Sequence, residues 1–386
     1  AEEPWFPELD FLSTLRLRAA YGVSGLRPGF RQASTLFAPT TVATEAGDVP
    51  GVSLSVTGNP QLKPEKSREY EFGFDTGLFQ DRLSVEFTYF DKESEDALIS
   101  RRLAPSLGLT LSTLDNLGAV QNKGTELTLN MSVFETRDHG LNVGFTNSTL
   151  SNEVLSLGED TEPIIFNRGL QRHAENFSAG GFHQVPYTWD DADNNGLLSI
   201  DEVDFVRDAD GNPVEPEYMG PSLPEWQRTI FADARIFGFM TFSTLFEGRG
   251  GHLQGNDSEA FRCGVASGRG RGCAAVSNPE ASLEEQARFI ADRFLGTAYG
   301  YVEEADFYRW REASLTLTAP TNLTQRFQQL EGLRLTVAGR NLATWTDYTG
   351  LDPETNESGG DANFSQSEFN TQPPIRTLML RLDYSF

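Results

Sequence analysis

Hydrophobic and polar residues alternate along most of this chain with the period of two that puts every other side chain on one face of a β-strand. The pattern is cleanest in TLMLRLDYSF, where Leu378, Leu380, Leu382, Tyr384 and Phe386 share one face and Thr377, Met379, Arg381, Asp383 and Ser385 share the other. The same alternation predicts strands over residues 13–23, 68–78, 83–91, 124–134, 141–151, 225–237, 238–248, 306–318 and 332–342, ten in all with the last. These exceed the roughly five to six residues usual in soluble domains and match the roughly nine to eleven needed to cross a bilayer at a tilt.

The connections alternate in length. Those at 24–67, 92–123, 152–224, 249–305 and 343–375 are long, and those at 79–82, 135–140, 237–238 and 319–331 are short or modest. A soluble sandwich has no reason to gather its long loops at one end, whereas an outer-membrane barrel has short periplasmic turns and long extracellular loops. The pattern therefore predicts an all-β fold, a transmembrane antiparallel β-barrel whose apolar face meets outer-membrane lipid and whose polar face lines a wet lumen. Tyr21, Tyr89 and Phe386 are expected in the interfacial aromatic girdles. An open ten-strand sheet leaves the edges at 13–23 and 377–386 unpaired, so the two are not expected to bond to each other. One helical period interrupts the β pattern: Leu283, Ala287, Phe289, Ile290 and Phe294 in residues 278–296, with Ser282 or Asn278 as cap.

Composition agrees with this reading: 36 Gly, 28 Phe and 10 Tyr in 386 residues, 38% hydrophobic, and no run near eighteen apolar residues. A net charge of −25 excludes a nucleic-acid partner, which needs a basic face. Residues 153–222 hold fifteen Asp and Glu against three Arg and no Lys.

Within that acidic loop, DADNNGLLSIDE (191–202) has the spacing of a twelve-residue calcium loop. Asp191, Asp193 and Asn195 stand at positions one, three and five, and Gly196 permits the sharp turn at six. Leu197 offers a carbonyl, Ser199 a water-mediated contact, and Glu202 closes the site with two oxygens. The flanks are not amphipathic helices, so the expected role of calcium is to pin a self-repelling loop rather than to drive a helix pair. The two cysteines, Cys263 and Cys273, lie in the Gly-rich RCGVASGRGRGC and are expected to form a disulfide in loop 249–305. The GRGRG run at 268–272 lacks the strand and helix of a phosphate cradle and reads as a loop tip. His139, His173, His183 and His252 are scattered and form no hydrolase motif, so no enzyme is expected. Tyr187, Trp189, Trp345 and Tyr348 either stack on sugars or pack.

Several stretches resemble the SusC/RagA-type TonB-dependent transporters: GNPQLKPEKSREYEFGFD (58–75), DFYRWREASLTLTAP (306–320), GRNLATWTDYTGLDPETN (339–356) and the terminal RLDYSF. NLGAVQNKGTELTL (116–129) is similar to the family's Asn-Gly-x-x-x-Asn-x-Gly-x-Glu stretch, through Asn116, Gly118, Asn122, Gly124 and Glu126. The resemblance covers residues 13–386 and implies the C-terminal ten strands of a 22-stranded barrel whose plug and TonB box belong to a preceding part. It further implies import of oligosaccharides or peptides across the outer membrane of a Gram-negative bacterium, a SusD-like surface lipoprotein as lid, and TonB as energy source. The alternatives are a secreted calcium-binding β-domain acting as adhesin or glycan-binding module, and an outer-membrane hydrolase.

Overall fold

Ten long strands form one antiparallel meander in a computed structural model that describes residues 9–385 except 46, 103–111, 117, 159–160, 265–274, 276–277, 279, 321–331 and 360–363. They are β1 (Leu12–Leu26), β2 (Glu65–Leu78), β3 (Leu83–Glu95), β4 (Ala119–Glu135), β5 (Gly140–Ser156), β6 (Trp226–Ile236), β7 (Met240–Gly250), β8 (Phe307–Thr318), β9 (Gly332–Thr346) and β10 (Thr377–Ser385). Each pairs with the next in sequence, and the sheet is open, with β1 and β10 at its two edges. Long connections leave one end of the sheet and short turns the other.

Two faces emerge from the register. Val85, Leu129, Phe145, Ile230, Phe246 and Trp310 follow one another across six strands on one face. Leu315, Val337 and Leu380 continue that apolar face across β8, β9 and β10. Phe246 and Trp310 stack at 5.6 Å between ring centres, and Leu378 and Leu380 are 79% and 72% exposed, as a lipid-facing surface requires. The opposite face carries Asp75, Glu86, Thr128, Thr146, Thr229 and Glu247 in a single row. Tyr21 lies against Tyr70 with ring centres 4.8 Å apart on the apolar face, while Phe386 lies outside the described residues.

Several strands outrun their predicted limits. β4 and β5 each have 17 residues, roughly 55 Å at about 3.3 Å per residue, well beyond the ~30 Å hydrocarbon thickness. The surplus lies at the long-loop end, where Asn122, Lys123 and Asn152 replace the apolar alternation that marks the membrane.

The buried clusters sit in the long loops and at the strand ends that meet them. Val154, Leu157 and Ala179 form one, Leu170, Phe182 and Val302 a second, and Val203, Ala287, Ile290 and Ala291 a third. Short strands organise this layer, including a four-stranded sheet (Ile164–Phe166, Gln171–His173, Gly181–Gln184, Glu217–Gly220).

The stretch 116–126 fastens the loop layer to the strands. The Asn116 side chain accepts from the Lys63 N–H and donates to the carbonyls of Lys63 and Asp96. Asn122 accepts from Asn152, whose own carbonyl oxygen accepts the Ala179 N–H. Gly118 has φ +68°, and a Cβ there would lie 1.6 Å from the Ser156 carbonyl oxygen. Gly118→Ala should therefore cost more than about 1 kcal/mol, through a conformation L-residues avoid and a backbone collision. Urea titration of the folded receptor should show an earlier midpoint; an unchanged midpoint would refute the assignment.

Candidate functional site

Residues 190–202 form the tip of a β-hairpin. Tyr187–Trp189 pairs antiparallel with Val203–Phe205, so strands rather than helices close the candidate calcium loop. The Asp190 N–H donates to the Glu202 carbonyl at 3.0 Å, sealing its base. Within the loop, Asp191 accepts from the N–H groups of Asn195 (3.1 Å) and Gly196 (3.0 Å), and Asn195 accepts from the Leu197 N–H at 2.7 Å. Gly196 takes φ +80°, the sharp turn its position calls for. The carboxylates of Asp191, Asp193 and Glu202 each bring an oxygen within 4.8 Å of the others. Asn195 donates to Asp193 at 2.6 Å and so stands beside the same cluster.

Glu202 is held in place twice. Its two oxygens accept from the N–H groups of Ala192 (3.0 Å) and Ser199 (2.8 Å), and the Ser199 hydroxyl accepts from the Glu202 N–H in a capping box. These bonds, led by the Ser199 amide, lower the Glu202 pKa below the usual carboxylate range. Ser199 thus serves the loop through Glu202. Leu197 is exposed at the tip.

The loop rests on a helix. Asn256, just before α1 (Asp257–Cys263), and Ser282, just before α2 (Leu283–Ile290), each accept an N-terminal N–H as caps. Gln286 of α2 is buried and holds the candidate metal loop: its Nε2 donates to the Gly196 carbonyl at 3.0 Å and its Oε1 accepts from the Leu198 N–H at 2.8 Å. Val203, Leu198 and Tyr187 pack on Ala287, Ile290 and Ala291 behind it. A glutamine on a short helix carries no sequence signal for this contact, because its partners lie about 90 residues away. Gln286→Ala should open the loop by about 1–2 kcal/mol through two unsatisfied backbone groups, read as faster hydrogen exchange at Gly196–Ser199. Exchange at the wild-type rate would contradict the docking.

Cys263 ends α1, is buried and is not a free thiol. Cys273 and the GRGRG run lie outside the described residues. Of the aromatic candidates, Tyr348 is buried and packs, whereas Trp345 is 53% exposed.

A charge network missed in the sequence closes the mouth of the sheet. Arg309 on β8 is 1% exposed and donates to both oxygens of Asp352 (2.7 and 2.6 Å) and to Glu354 (2.8 Å). Arg311 bridges Glu247 and Glu354, and Arg249 donates to Glu247. The network ties the loop between β9 and β10 to the inner wall.

The profile described as "TonB dependent receptor-like, beta-barrel" matches residues 7–227. TonB-dependent receptor P3 of Formosa agariphila is 26% identical across the whole chain, which covers 41% of that protein. TonB-dependent receptor SusC of Bacteroides thetaiotaomicron is 23% identical, again across the whole chain and 39% of the relative. The fold is similar to that of the RagAB peptide transporter, with TM-score 0.77 at 21% identity over 99% of this chain and 42% of the other. The chain thus spans about two fifths of the length of these relatives. With its open meander, apolar outer face and one-sided loops, the chain belongs to the TonB-dependent receptor-like β-barrel family, proteins of the Gram-negative outer membrane.

Proposed function

We propose that the protein carrying this chain imports oligosaccharides or peptides across the outer membrane, with a SusD-like surface lipoprotein over its loops and TonB supplying energy. The observation that carries the reading is the polar inner wall leading to a folded loop layer, fixed at its mouth by the Arg309–Asp352 network. Such an arrangement offers a ligand a preformed surface above a wet lumen. The likeness to SusC and to a peptide transporter supports the same class. Exposed Leu378, Leu380 and Leu382 disfavour a secreted adhesin, which has no lipid to cover them. A strain lacking the protein should lose uptake of one labelled class, oligosaccharide or peptide; unchanged uptake of both would remove the proposal.

As part of this reading, Asp191, Asp193, Asn195, Leu197, Ser199 and Glu202 hold calcium, in a structural role on the outer surface. A Cys263–Cys273 disulfide staples the neighbouring loop.

A further inference from the structure

The loop layer contains a cleft of about 490 Å³ between the four-stranded loop sheet, α1 and the turn after α2. That volume lies within the range of small-ligand sites. Three side chains on its lining carry polar groups without a partner among the described residues. The side chain of Arg172, on the strand Gln171–His173, makes no hydrogen bond or ion pair with any described residue, and its Nε is buried without a partner. Glu215 acts on it only through space. Asp292, on the π-helical turn after α2 (Ala291–Leu295), likewise has no side-chain hydrogen bond or ion pair among the described residues; burial and then nearby Asp257 push its carboxyl up to about 6, against an opposing pull from Arg293 that acts only through space. His183, 3% exposed, spends Nδ1 on the Gly181 carbonyl at 3.1 Å and leaves Nε2 unmatched; burial lowers its pKa and keeps the ring neutral. The other cation of the cleft, Arg168, is already paired with Asp257 and Glu357.

Leaving a guanidinium and a carboxylate partly buried and unmatched on one cleft costs stability unless a ligand completes them. A simple anion answers Arg172 and leaves Asp292 without a direct partner. A neutral sugar answers neither charge. A molecule with a carboxylate and an ammonium answers both, and Phe205, Phe261 and Phe369 on the same cleft suit apolar side chains between them. We propose that this cleft binds a short unmodified peptide, its carboxylate on Arg172 and its ammonium on Asp292. The inference rests on the import reading and narrows its substrate class to peptides.

The test is calorimetric titration of the full-length receptor in detergent with the tripeptide Ala-Leu-Ala, its N-acetylated form, its C-amidated form and maltotriose. The free tripeptide should bind, and blocking either end should weaken binding at least tenfold. Arg172→Gln should weaken the free tripeptide at least tenfold and abolish the difference between acid and amide. Asp292→Asn should do the same for the amino end. If a variant does not fold, the blocked peptides on the unaltered receptor still decide. Equal binding of free and blocked peptides, preference for maltotriose, or no peptide binding at millimolar concentration overturns the proposal. If uptake of an oligosaccharide persists in those cases, only the cleft assignment is lost; if all uptake is absent, the import reading falls with it.

Discussion

Asp352→Ala is expected to cost about 3–5 kcal/mol of stability where the β9–β10 loop meets the barrel mouth. Arg309 is almost fully buried, and Asp352 takes two of its three carboxylate contacts. Removing that partner leaves a buried guanidinium with Glu354 alone, and its Nε already has none. Desolvation of the cation is then uncompensated, which is why deleting one member of a buried pair costs far more than the pair contributes net. The comparison is Asp75→Ala, which removes the solvent-accessible Arg18–Asp75 pair at 2.9 Å, with Arg18 exposed and Asp75 half-buried, and should cost less than about 1 kcal/mol. Hydrogen exchange at Tyr348–Thr355 reads the difference. Equal exchange in the two variants would show that Arg309 does not hold the loop.

The second large effect concerns the proposed calcium site. Glu202→Gln should weaken calcium at least about a hundredfold, since loss of an outer-shell partner alone costs roughly 10–100-fold. The substitution removes the one carboxylate from the closing end that reaches Asp191 and Asp193, while preserving the side chain's shape. At a Kd of about 10⁻⁴–10⁻³ M, as in extracellular modules, calcium at ten times Kd adds about 1.4 kcal/mol to the loop. Chelation should therefore expose residues 190–202 to protease while β1–β10 stay intact. Because Gln286 joins this loop to α2, exchange on Leu283–Ile290 should also quicken. Calcium-independent protection would reduce the site to a hydrogen-bonded turn.

These two sites differ in how far sequence could reveal them. All six calcium candidates fall within twelve consecutive residues, so local spacing displays the chemistry. The hairpin that closes them was not legible, because Tyr187–Trp189 and Val203–Phe205 are three residues each and too short to show a period. Arg309 and Arg311 stood visibly on one face of a predicted strand, yet their partners Asp352 and Glu354 lie more than forty residues on, and only the path of the loop joins them. The membrane strands were legible since lipid and lumen impose opposite demands on alternate residues. Above the membrane that contrast ends, and with it the alternation that would have extended β4 and β5 to their full 17 residues.

The Asn116–Glu126 stretch shows a different limit. Its residues were recognisable as a unit, but their roles were not: Asn116 clamps two loops, Gly118 allows a close backbone approach, and Asn122 begins a chain of hydrogen bonds to Ala179. Such roles depend on which loops return to the strand ends, which no local pattern encodes.

Energised import is tested most directly by following a labelled substrate on cells bearing the full-length receptor, with and without a protonophore. The label should still bind the surface under protonophore while internalisation falls to that of cells lacking TonB. Internalisation that continues undiminished under protonophore and without TonB would contradict energised import.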